Sequence, residues 1–186
     1  MPELPREKAE RFEKDYGLNN ADAKVLASEP TLADYFETVA ATCRNAKLAA
    51  NWIRVELLGR KNKDSIETSE IPVSSEDFGL LLLRINDQTI SGKIAKDIFD
   101  ALWASEAGSV DDYIDANDLK QVSDSKALEP LIDKIISENP KQVEKFRQGK
   151  SKLLGFFIGQ VMKETEGKAN PQQVNKIVQK KLSEVG

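Results

Sequence analysis

The sequence contains no histidine and only one cysteine, Cys43. Without histidine, neither a Ser-His-Asp nor a Cys-His nucleophile system can be assembled. The same shortage excludes a Cys/His zinc site. No disulfide can close within the chain, which suits a reducing compartment. Cys43 is read as a small, semi-buried residue rather than a reactive thiol. Aromatic residues make up only 6%, which argues against a sheet sandwich and against an aromatic platform for splayed bases. Long apolar runs are missing as well. The longest are Leu80–Leu83 and Leu153–Leu154 with Phe156–Ile158, far short of the roughly 20 residues that cross a bilayer. No basic start followed by an apolar stretch is seen, so no signal peptide and no membrane partner are expected.

What is present is an ordinary soluble balance, 40% hydrophobic and 31% charged over 186 residues. That is enough for one domain or two small ones. The charge is unevenly spread. Residues 141–186 carry 10 Lys/Arg against 4 Asp/Glu, a net of +6, whereas residues 1–140 carry 17 against 27, a net of -10. A basic tail on an acidic body suggests a polyanion reader held by a scaffold.

Nearly every segment has helical spacing, and no period-two alternation appears, so the fold is expected to be all-α: two small helical bundles in tandem, without sheet. Pro5 opens a first helix over Leu4–Tyr16, which Gly17 closes. Asn20 is placed as the cap of a second. Pro30 and Thr31 start a third, with Leu32, Tyr35, Phe36 and Val39 at helical spacing. Asn45 begins a fourth, with Leu48, Trp52, Val55 and Leu58 on one side. Lys61–Pro72 reads as a polar loop. Ser74 or Ser75 and then Ser91 cap two further helices, the latter with Ile94, Ile98 and Leu102 inward. A short helix near Val110–Ile114 leads to a polar joint over 115–123, so the domains are drawn as 1–117 and 118–186. In the second body Leu128, Leu131, Ile132, Ile135 and Ile136 form a core stripe. Pro140 starts a short helix with Val143 and Phe146 inward. Lys152–Thr165 is apolar on most sides, a central helix. Asn170 and Pro171 start the last helix, in which Val174, Ile177, Val178 and Leu182 face in.

Candidate chemistry concentrates in the tail. Gly149-Lys150-Ser151 ends like a phosphate-binding loop, but Glu144 stands where that loop needs its first glycine, and a helix precedes it instead of a strand. Gly155 and Gly159 lie four apart on one helix, and with Lys152 and Lys163 they fall within about 80° of arc. Two helix-interior glycines, at ~1 kcal/mol each against alanine, have two readings. Either another helix approaches closely, or the strip is a lysine-flanked floor for an RNA backbone. Lys176 and Lys180 form either a solvated face or, with Lys150, Lys152, Lys163, Lys168 and Lys181, a phosphate-binding cluster. The turn 166–170 offers either an anion site at a helix N-terminus or a capped turn. Asp111, Asp112, Asp115 and Asp118 lack calcium-loop spacing and read as a solvated acidic face. Trp52 and Trp103 read as core anchors.

Several segments carry a family resemblance: Leu48-Ala49-Ala50-Asn51-Trp52, Thr89-Ile90-Ser91-Gly92-Lys93-Ile94-Ala95-Lys96, Gln121-Val122-Ser123-Asp124, and Gly155–Lys163 continuing to Gly167-Lys168-Ala169-Asn170-Pro171. In register, they resemble the C-terminal half of the B subunit of the aspartyl/glutamyl-tRNA amidotransferases, a helical domain followed by a small YqeY-like tail domain. The opening Pro2-Glu3-Leu4-Pro5 resembles the join after that subunit's catalytic part. The resemblance implies a bacterial, cytoplasmic component of translation. The complete glutamine-hydrolysing ligase converts Glu-tRNA(Gln) or Asp-tRNA(Asn) to the amide form and includes A and C subunits. ATP and magnesium are used in an N-terminal part that this chain lacks. The resemblance therefore implies a fragment with no catalytic residues, no metal site and no cofactor of its own. Its tail would contact tRNA(Gln) or tRNA(Asn) through Lys150, Lys152, Lys163, Lys168 and Lys176 beside Gly155 and Gly159. Lys180 and Lys181 join the set on charge alone. The alternative is a helical interaction module without an RNA role, like the stand-alone YqeY-like proteins.

Overall fold

A computed structural model describes residues 3–184, so Pro2 of the opening motif lies outside them. Among the described residues the chain is all-α with no strand. One isolated parallel bridge pairs Val122 with Ala169. The chain divides into two compact units, Met1–Gln88 with Ala95–Asn117, and Thr89–Ile94 with Asp118–Gly186.

The first unit begins with α1 (Pro5–Tyr16), α2 (Asn20–Leu26) and α3 (Pro30–Cys43). Gly17 ends α1 at φ 64°, a left-handed geometry that glycine adopts without penalty. The cap of α2 is Asn19, one residue earlier than expected, because its side chain accepts the Asp22 N–H at 2.9 Å. α4 (Ala46–Trp52) passes through a π-helical turn, Ile53–Leu57, and continues as α5 (Leu58–Asp64). Ordinary helical steps of 100° from Ala49 already turn Val55 to the far side. The buried row is Ala49, Ile53 and Leu57, joined by Trp52, while Val55, expected inside, is 53% exposed. The continuation also moves the start of the polar loop from Lys61 to Ser65, and the loop holds a short 3-10 turn at Thr68–Glu70.

Ser74 caps α6 (Ser75–Asn86), accepting the Asp77 N–H at 3.0 Å. α6 packs tightly on α3, where a Cβ on Gly79 would lie 2.6 Å from Thr42 Cβ. Glycine at this point permits the approach of the two helices. α7 (Gly92–Trp103) contributes its residues from Ala95 onward, and α8 (Val110–Ala116) completes the unit. Trp52 and Trp103 are both buried, and the Trp103 indole donates to Asp64 at 2.9 Å. Cys43 is fully buried, which pushes its thiol pKa up. Arg84 grips Asp111 through two bonds of 2.7 Å, and this carboxylate stays partly exposed beside the exposed Asp112, Asp115 and Asp118. No group of acidic, cysteine or histidine side chains capable of holding a metal occurs among the described residues.

The second unit packs α9 (Ser125–Glu138), α10 (Pro140–Arg147), α11 (Leu153–Glu164) and α12 (Pro171–Glu184) around Leu128, Ile132, Val143, Phe157, Val161, Val174 and Val178. α11 buries only Phe157 and Val161 fully, so it is a wall of the bundle rather than its centre. Thr89–Ile94, placed by sequence in the first body, packs here instead. The reason is hydrogen bonding: Gln121 N–H donates to Thr89 C=O at 2.6 Å, and the Ser91 hydroxyl donates to Gly167 C=O at 2.7 Å. Ser91 is 2% exposed, and a buried hydroxyl needs such a partner. Its oxygen also accepts the Ile94 N–H at 3.2 Å, which confirms it as a cap.

Candidate nucleic-acid interface

The densest cationic surface is the corner between α10 and α11. Residues 141–152 carry Lys141, Lys145, Arg147, Lys150 and Lys152 against Glu144 alone. All five cations are exposed. The ion pairs among the described residues of this unit use other lysines. Lys145, Lys150 and Lys152, with Gly149, Ser151 and Leu153, line a shallow cavity of about 500 Å³. Gly149 turns the chain here at φ 92°, which favours a residue without Cβ. Sequence reasoning named Lys150 and Lys152 but missed Lys145. The available signal was Lys141 and Lys145 at i, i+4, facing away from Val143 and Phe146. That is the argument already applied to Lys176 and Lys180.

From this corner α11 runs outward with its two faces sharply divided. Phe157 and Val161 point into the core. Lys152, Gly155, Gly159 and Lys163 cluster within about 80° of arc on the opposite side. Both glycines are exposed, and a Cβ built on either meets nothing within 4 Å. No neighbouring helix presses on them, so close helix packing does not explain them in this structure. The strip is an open backbone floor, ended by lysines that have no carboxylate partner among the described residues.

The remaining lysines separate into distinct settings. Lys176 is exposed on α12 and unpaired among the described residues. Lys180 beside it makes only an exposed i, i+4 contact with Glu184 at 3.8 Å, worth about 0.3–0.5 kcal/mol and easily exchanged for a phosphate. Lys168 is half-buried and 3.6 Å from Asp118. Lys181 is different. Its ammonium lies 2.7 Å from Asp133 and 4.0 Å from Glu129 on α9, with its side chain 19% exposed. The hydrogen bond to Asp133 pushes its pKa up. Lys181 therefore links α12 to α9 and is held by its ion pairs rather than left open like Lys176. On a helical wheel it falls between Ile177 and Val178, so its inward position was readable from the sequence.

The turn from α11 to α12 is a capped turn. Asn170 Oδ1 accepts the Gln172 and Gln173 N–H groups at 2.9 and 3.2 Å. The Val122 N–H donates to Lys168 C=O at 2.7 Å, and the Asn170 N–H donates to Val122 C=O at 2.9 Å. The amides that would have formed an anion site are thus held by the protein's own acceptor.

Fold and surface together define an all-α, two-unit protein whose second unit carries an open basic face and no nucleophile-histidine machinery. The GatB domain family matches residues 34–182. Over 183 residues the chain is 53% identical to the B subunit of the aspartyl/glutamyl-tRNA(Asn/Gln) amidotransferase of Thioalkalivibrio sulfidiphilus, covering 98% of this chain and 38% of that protein. The corresponding protein of Pseudomonas paraeruginosa is 52% identical and that of Teredinibacter turnerae 50%, with the same coverage of each chain. The chain belongs to the GatB domain family and corresponds to the C-terminal part of the amidotransferase B subunit. It spans 38% of the length of these relatives.

Proposed function

We propose that this chain is the non-catalytic, tRNA-contacting region of the B subunit of an amidotransferase. It grips the body of tRNA(Gln) or tRNA(Asn) while Glu-tRNA(Gln) or Asp-tRNA(Asn) is converted to its amide elsewhere in the complex. The A and C subunits are its expected partners, and ATP with magnesium would act in the part of the protein not represented here. The observation that carries the reading is the outer face of α11, where lysines without a carboxylate partner among the described residues flank glycines on which an added Cβ meets no described atom within 4 Å. Lysines of this kind hold phosphates by charge and counterion release without reading bases. The few aromatic residues suit recognition of a folded RNA by shape. Holding the RNA body far from the reacting end lowers the entropic cost of positioning that end. Among the described residues no helix is long and apolar enough to cross a membrane, and a cytoplasmic setting follows from the proposed substrate. The test is Lys163→Glu combined with Lys176→Glu. Affinity for tRNA falls while helix content by circular dichroism stays unchanged; unaltered affinity removes the exposed lysines of α11 and α12 from the account.

A further inference from the structure

We propose that Lys93, seventy positions before Lys163, is a phosphate-contacting residue of the same RNA surface. The Thr89–Ile94 segment holds it at the α11–α12 turn. The inference rests on the tRNA reading above and adds a cation that neither charge blocks nor tail motifs reveal.

Lys93 is positioned by the backbone around it. Gln121 N–H to Thr89 C=O and the buried Ser91 hydroxyl to Gly167 C=O fasten the segment to the second unit on both sides of Ile90. Two residues beyond Ser91, the stem of Lys93 lies across Gly167. A Cβ on Gly167 would come within 2.7 Å of Lys93 Cδ and 3.3 Å of Nζ. Gly167 also stands at φ 80°. The missing side chain there does two things: it permits the left-handed turn, and it leaves a seat for the lysine stem. Lys93 is nonetheless exposed, and its ammonium has no carboxylate partner among the described residues.

Local charge explains why one cation matters here. The turn carries Lys163 and Lys168 against Glu164, Glu166 and Asp118, and Asp118 already engages Lys168. Without Lys93 this end of α11 is net negative; with Lys93 it is balanced, and the ammonium groups of Lys93 and Lys163 have no carboxylate partner among the described residues. The opposite end of α11 holds Lys152, about 16 Å away at 1.5 Å per residue. The outer strip thus has cations at both ends, which fits two separated phosphates of one RNA.

The test measures binding of labelled tRNA to the full chain across a salt series, for wild type and for Lys93→Met, Lys93→Arg and Lys150→Met. Methionine keeps a stem over Gly167 and removes the charge. One lost phosphate contact lowers the slope of log affinity against log salt by about 0.7–0.9, or roughly five- to eightfold in affinity at 0.1 M salt against a 1 M reference. Lys93→Met shows that loss with an unchanged melting temperature, and Lys93→Arg restores binding. Amine-reactive footprinting of the wild-type chain shows Lys93 protected by tRNA, a result independent of any variant's folding. Wild-type affinity and slope for Lys93→Met, with Lys150→Met weakened, overturn the proposal and leave the tRNA reading standing. If the wild-type chain itself binds no tRNA, the tRNA reading falls and this proposal falls with it.

Discussion

Replacing Gly155 and Gly159 together by alanine should stabilise the protein and weaken its proposed function. Both residues sit in α11 with nothing within 4 Å of an added Cβ. The methyl groups therefore meet no steric cost, and the substitutions keep only their gain in helix propensity, ~1 kcal/mol each. Much of that gain comes from the reduced freedom of the unfolded chain. The second unit has the size of a small domain, for which each kcal/mol moves the melting temperature by about 4–8 °C. The midpoint of thermal unfolding followed by circular dichroism should rise by roughly 8–16 °C. The same two methyls occupy the floor proposed for the RNA backbone, so tRNA affinity measured by fluorescence anisotropy should drop. A longer side chain, Gly159→Leu, should cost about tenfold, equivalent to 1.4 kcal/mol. A lower melting temperature for the alanine pair would falsify the open-strip account, because it would mean that something packs on the glycines. A higher melting temperature with unchanged tRNA affinity would show that the floor is not used.

Other consequences follow from individual contacts. Gly79→Ala forces a methyl to within 2.6 Å of Thr42 Cβ, an overpacking cost of about 1–3 kcal/mol that denaturant titration of the first unit should reveal. Lys181→Ala removes the link to Asp133; melting temperature should fall slightly, by no more than ~1 kcal/mol of stability, with tRNA affinity unchanged, and a large affinity loss would return Lys181 to the RNA surface. Cys43 is fully buried with its thiol pKa raised. A thiol reagent at neutral pH should label it only when denaturant is added, and rapid labelling of the native protein would contradict the packing.

The regular parts of the fold were legible in the sequence because the physics there is local. Ser74, Ser91, Asn170 and the prolines at helix starts act on amides two or three residues away, and Leu128, Ile132 and Ile135 announce their face by spacing alone. Val55 was misplaced because the inward row runs through Ala49, Ile53 and Leu57, and a small residue such as Ala49 does not announce that row by hydrophobicity. Thr89–Ile94 was assigned to the wrong body because its attachment depends on a hydrogen bond from Ser91 to Gly167, 76 residues apart. The candidate site shows the same division. Lys152, Gly155, Gly159 and Lys163 form one strip by helical arithmetic, whereas Lys93 joins it only through tertiary packing. Lys181 and Lys176 look alike by charge, but the helical wheel puts Lys181 beside Ile177 and Val178, and the acidic pair on α9 then holds it there.

The central claim is that the second unit holds tRNA through its basic face. The most direct measurement is binding of labelled tRNA(Gln) and tRNA(Asn) to the full chain at two salt concentrations, with an unrelated tRNA as competitor. The account predicts tighter binding to the cognate tRNAs that survives competition and weakens with salt by roughly 0.7–0.9 log units per phosphate contact. Equal, weak binding to all three tRNAs, abolished by moderate salt, would contradict it.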